Sequence, residues 1–142
     1  MYLYRFPLML GLVASLGFTV SSCQKDDPKP DTTATNPQLT SGSWHLDAIQ
    51  ENGQTTSSGT GIKDRFSLTF RPNSTYTQRL LGTPDSYDGT WMLMGNNTML
   101  HFVDHKGTNH EYTLRSLTAT ELRYSYTNKD NKLEEFVFSA QP

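Results

Sequence analysis

The sequence predicts an all-β protein: a small eight-stranded antiparallel up-and-down barrel that follows a flexible tether. Three observations carry this expectation. From Ser43 onward apolar and polar residues alternate with a period of two, as in strands with one buried face, and no stretch is a good helix candidate. Turn-forming residues punctuate the pattern at even spacing. Finally, no mid-strand proline or lysine guards a sheet edge, which favours closure into a barrel over an open sheet or sandwich.

The strands follow in order. Trp44, Leu46 and Ala48 alternate with His45 and Asp47 in the first, and Phe66, Leu68 and Phe70 mark the second. Pro72-Asn73-Ser74 turns the chain into Tyr76, Gln78 and Leu80 of the third. Trp91 and Leu93 form the fourth, and Gly95-Asn96-Asn97 makes a hairpin turn into Leu100 and Phe102 of the fifth. Tyr112 and Leu114 belong to the sixth strand, Leu122, Tyr124 and Tyr126 to the seventh. Leu133, Phe136 and Phe138 belong to the eighth, where a slip of parity at Glu134-Glu135 points to a bulge. Seven aromatic residues read as inward: Phe70, Tyr76, Trp91, Phe102, Tyr112, Tyr124 and Phe136. An eight-stranded interior can be filled by such side chains or can hold one small ligand, so they line an apolar cavity or fill the core.

The chain has 142 residues, enough for one domain, which we place at 41–142. Its core depends on aromatic burial, and 12 aromatic residues lie after position 40. From Cys23 onward there are 11 basic against 14 acidic residues, a net charge of −3, so no nucleic-acid partner is expected. Cys23 is the only cysteine, so no disulfide within one chain can brace the fold.

The N-terminus reads as an address. Arg5 precedes an apolar run from Phe6 to Val20, broken by Pro7, Gly11 and Gly17. That length suits a signal peptide over residues 1–22 better than a spanning helix, the alternative reading. Val20-Ser21-Ser22-Cys23 resembles the lipobox of bacterial lipoproteins, with Val where Leu is usual. The resemblance implies diacylglycerol on Cys23, cleavage before it, and a membrane partner reached through that lipid. Gln24, Lys25, Asp26 and Asp27 resemble the acidic signal that sends lipoproteins of Bacteroidetes-type bacteria to the outer face of the outer membrane, though a solvated linker would look the same. Residues 23–40, rich in Pro, Asp and Thr with Leu39 as the only large aliphatic, read as a tether too polar to fold.

Gly42-Ser43-Trp44 matches the Gly-x-Trp signature of lipocalins, and the layout resembles short bacterial lipocalin-like domains over roughly residues 40 to 140. Phe66 to Phe70 with its turn, Gly89-Thr90-Trp91 and Leu117 to Leu122 are further counterparts. The resemblance implies that Trp44 plugs the closed end of the barrel, with Arg123 packing over it, and that Glu51 to Asp64 forms a mobile lid at the open end. Unlike full lipocalins, the sequence has no disulfides and no C-terminal helix.

Chemistry-bearing groups are sparse. His101, His105 and His110 lie near Asp104, but strand geometry separates them, so no metal is expected. Asp26-Asp27 falls in the tether, and Glu134-Glu135 points to opposite faces. No nucleophile elbow or phosphate loop occurs, and Gly59-Thr60-Gly61 lacks the residues to cradle phosphate. No catalytic residue, cofactor or enzyme activity is expected. The sequence thus reads as an outer-membrane-anchored lipoprotein whose barrel binds a small apolar ligand or a partner protein. The alternative is a surface interaction or inhibitor module with a filled core. Cys23→Ala is expected to abolish acylation in the native host; mass spectrometry finding an unmodified, retained N-terminus on the parent protein would contradict the lipobox reading.

Overall fold

The structure is a computed structural model that describes residues 36–141. The export signal, Cys23, Gln24, Lys25, Asp26 and Asp27 lie outside these residues. Nine strands are present: β1 (Ser43–Glu51), β2 (Gln54–Ser58), β3 (Phe66–Phe70), β4 (Thr75–Leu80), β5 (Ser86–Met94), β6 (Met99–Val103), β7 (Asn109–Leu117), β8 (Glu121–Thr127) and β9 (Leu133–Gln141). Eight of them form a closed antiparallel barrel in the order β1, β3 to β9, with β9 returning to pair with β1. Strand β2 is the ninth and pairs with the second half of β1 alone.

The extra strand corrects the reading of Glu51 to Asp64 as a loop. Asn52 and Gly53 adopt positive φ of 48° and 81°, a turn that folds Gln54–Ser58 back on β1, and a 3-10 turn follows at Gly59–Gly61. Period-two hydrophobicity could not reveal β2 because its residues, Gln-Thr-Thr-Ser-Ser, bury no face. The same polarity suits an edge strand, since it offers little apolar surface for unwanted pairing.

Strand β1 holds the barrel together by changing partners along its length. Its first residues pair with β3 from Ser43↔Thr69 to His45↔Ser67, after which β2 takes over that edge. Arg65 closes the seam: its Nε donates to the Leu46 carbonyl at 2.6 Å and an Nη meets Asp47 Oδ1 at 2.7 Å. Opposite β9 the register slips between Leu46 and Ala48, so the bulge lies in β1 at Asp47 and not at Glu134-Glu135. Consequently Ile49, rather than Ala48, joins the core after Trp44 and Leu46. The ladder between β8 and β9 is regular, and Glu134 lies beside Phe136 on the inward parity. Gly42 is required where the barrel closes, because a Cβ there would stand 2.8 Å from the Gln141 carbonyl oxygen.

The closed end is filled. Trp44, 1% exposed, donates its indole N–H to the Leu39 carbonyl at 2.9 Å, and Leu39 is itself 0% exposed. Leu39 is therefore packed into the closed end and not solvated, its backbone N–H donating to the Asn36 carbonyl at 3.1 Å. Phe70, Trp91, Leu100, Leu122 and Phe138 pack in the same core. Arg123 does not cover Trp44; it lies on the outer face, 3.3 Å from Glu135 and 3.7 Å from Glu121. Leu39→Ala is expected to cost about 2–4 kcal/mol, as a core truncation does. Urea unfolding that finds a loss below about 0.5 kcal/mol, the usual scale of surface substitutions, would contradict this placement.

Candidate functional site

The packed core does not extend to the other end of the barrel. There a cavity of about 450 Å³ opens, lined by Phe66 and Leu68 of β3, Tyr76 and Gln78 of β4, Tyr87 of β5, Phe102 of β6, and Tyr112, Tyr124 and Phe136 of β7 to β9. Asp104, His105 and Lys106 of the β6–β7 turn, with His110, form its rim. Such a volume lies in the range of small-molecule sites, roughly 300–1,000 Å³.

The walls are an aromatic lattice. Phe102 meets Tyr76 edge-on at 5.0 Å and Tyr112 at 5.6 Å, while Tyr124 stands 4.7 Å from Tyr112 and 5.4 Å from Phe136. These are favourable offset geometries. Gly89, inward on β5, leaves room for the Tyr76 ring: a Cβ there would stand 2.6 Å from it. At the rim Tyr87 stacks on His105 at 4.5 Å.

The rim turn is braced by its own carboxylate. Asp104 Oδ1 accepts the backbone N–H of Lys106 at 2.8 Å and of Thr108 at 2.9 Å, and Gly107 supplies the positive φ of 80°. His110 Nε2 lies 3.0 Å from Asp104 Oδ2, and since a carboxylate only accepts, that nitrogen carries the proton. The His110 bond, followed by the backbone donors, holds the Asp104 carboxyl well below its usual range.

Burial pushes the tyrosines the other way. Tyr112 is pushed up to about 12, first by desolvation and then by the nearby Tyr126, Tyr76, Glu134 and Asp104. Burial, with Tyr112 and Tyr76 adding to it, raises Tyr124 well above the ordinary phenol range; burial and Asp104 raise Tyr76. All three therefore stay neutral at physiological pH.

Of the seven aromatics read as inward, Tyr76, Phe102, Tyr112, Tyr124 and Phe136 come together around the cavity. Phe70 and Trp91 do not line it. Trp91 sits in the filled end, its indole N–H shared between the carbonyls of Arg71 and Thr75 at 3.1 Å each. The expected lid, Glu51 to Asp64, contributes no lining residue; Ile62 is instead buried in the core. Phe66, Leu68, Gln78, Tyr87, Asp104, His105, Lys106 and His110 line the cavity without having been expected to, yet all of them except His105 and Lys106 continue the inward parity of a neighbouring aromatic. His101 faces away, bonded through Nε2 to Asn109 at 3.2 Å. Among the described residues no three metal-ligating side chains gather.

A closed eight-stranded barrel, packed at one end and hollow at the other, is an architecture whose interior has room for one small molecule. The sequence profile of the lipocalin-like domain matches residues 40–124, well over half of the chain, and the protein belongs to that family. The matched range runs from just before β1 into β8; the last turns and β9 complete the barrel beyond it. Lipocalin-like proteins generally bind small hydrophobic ligands and are not generally enzymes. No curated protein matches the chain.

The raised tyrosines set a pH dependence. A phenol held near 12 in the fold and at 10.0 when unfolded leaves stability intact below pH 10 and removes it as pH rises toward 12. For Tyr112 the loss is on the order of 2 kcal/mol, and Tyr112→Phe is expected to flatten that part of the curve. Denaturant titrations at pH 9 and pH 11.5 that find equal losses in both proteins would contradict it.

Proposed function

We propose that the protein is a lipid-anchored carrier or sensor on the bacterial outer membrane that binds one small, largely apolar ligand in the open-end cavity, without catalysis. The observation that carries the binding half is the cavity itself: about 450 Å³ of unfilled space behind an aromatic wall, in a barrel whose other end is packed. A filled-core interaction module would not leave such a volume among its largest side chains. The anchoring half rests on the lipobox-like Val20-Ser21-Ser22-Cys23, and exposure at the cell surface rests on Gln24, Lys25, Asp26 and Asp27. The barrel follows within about twenty residues of Cys23, so the ligand would be met close to the membrane.

The experiment is a titration with N-phenyl-1-naphthylamine, an apolar dye that brightens when it leaves water. Saturable one-site binding at about micromolar concentration, near −8 kcal/mol, is expected. Gln78→Trp, which places a large ring in the cavity, is expected to abolish the signal while the melting temperature stays within a few degrees. Non-saturable brightening, or full binding in the folded Gln78→Trp protein, would overturn the cavity as the site.

A further inference from the structure

The cavity is greasy in its rings but not in its hydroxyls. Tyr76, Tyr112 and Tyr124 all line it, and none of their hydroxyls makes a hydrogen bond to protein among the described residues, although Tyr124 is only 4% exposed. Its hydroxyl is not sealed in the packing either, so it opens into the cavity. Water can meet all three in the empty cavity, so a ligand that displaces it has to replace its hydrogen bonds or leave three phenols unpaired. The phenols remain neutral donors, because burial and their mutual proximity both oppose ionisation.

We infer that the ligand is a flat aromatic molecule carrying hydroxyl or carbonyl oxygens, and that these oxygens are met inside the barrel by Tyr76, Tyr112 and Tyr124. The inference rests on the cavity reading above and narrows its ligand class. The aromatic class follows from the walls, where the rings of Phe102, Tyr112, Tyr124 and Phe136 touch one another at centroid distances of 4.7 to 5.6 Å and together present a continuous aromatic surface on which a flat ring can lie or meet an edge. A saturated chain would leave all three hydroxyls unpaired. A carboxylate is disfavoured beside them, since the ionised Asp104 already acts on Tyr76 and Tyr112, and Lys106, the one lysine or arginine lining the cavity among the described residues, belongs to the rim. Selection by hydrogen-bonding to a ligand oxygen is the stronger form of discrimination, because the analogue without it strands the site's polar groups.

The test displaces the bound naphthylamine dye with 2-naphthol and with naphthalene, which differ by one hydroxyl. The parent protein is expected to bind 2-naphthol at least ten-fold tighter. In the double variant Tyr112→Phe with Tyr124→Phe, which keeps both rings, the ratio is expected to fall toward one through weaker naphthol binding. Tyr124→Phe alone, expected to lower the ratio in part, serves if the double variant does not fold. Equal affinities in the parent, or an unchanged ratio in the folded variants, would overturn the hydroxyl inference and leave the cavity standing. Failure of the dye and both probes to bind would instead overturn the cavity reading and this inference with it.

Discussion

Closure through β1 is the constraint on which the rest of the structure depends. One strand has to serve β9 along its whole length, β3 along its first residues and β2 along its last. The bulge at Asp47 makes that possible by turning the strand between its two halves, and Arg65 ties the point where β3 leaves it. Without the bulge, Ile49 would face solvent and the small Ala48 would take its place in the inward row that begins at Trp44. Gly42 plays the corresponding part at the other end, where the β9 backbone comes too close for any side chain.

Within the closed barrel, side-chain chemistry makes the two ends differ. At the closed end the two largest side chains, Trp44 and Trp91, are both tied through their indole N–H groups to backbone carbonyls that lie outside the strands they start from. Each is thereby fixed in orientation as well as buried, and Leu39 seals the plug from below. At the open end the inward positions carry tyrosines, Gln78 and His110, whose polar ends do not pack against one another as aliphatic chains would. The hollow is thus a consequence of side-chain chemistry within one regular barrel. The self-braced Asp104 turn keeps its rim in place.

Much of this was legible in the sequence. Eight strands, their antiparallel order and the turns at Pro72 to Ser74 and Gly95 to Asn97 follow from alternation and turn chemistry, and the positive φ of Ser74, Gly95, Asn96 and Asn97 gives the physical reason. Strand β2 escaped because polar residues carry no periodic signal. The bulge was placed in the wrong strand because parity slips are visible only where hydrophobic residues mark them, and Asp47-Ala48 marks nothing. For the site, inward parity identified five wall residues but could not separate them from Phe70 and Trp91, since height along the barrel depends on strand tilt and stagger. The polar rim is not legible when Asp104 and His110 are weighed only against metal binding and set aside. Extending the parity of Phe102 and Tyr112 by one step would have put both on the cavity.

The central claim is that ligand enters the hollow end and leaves the packed end untouched. Chemical-shift mapping by ¹H–¹⁵N NMR during titration with 2-naphthol tests it most directly. The account predicts saturable shifts at Gln78, Tyr87, Asp104 to His110 and Tyr112, with the Trp44 indole N–H resonance unmoved. Shifts centred on the Trp44 indole, or confined to outward-facing residues such as His101 and Arg123, would contradict it.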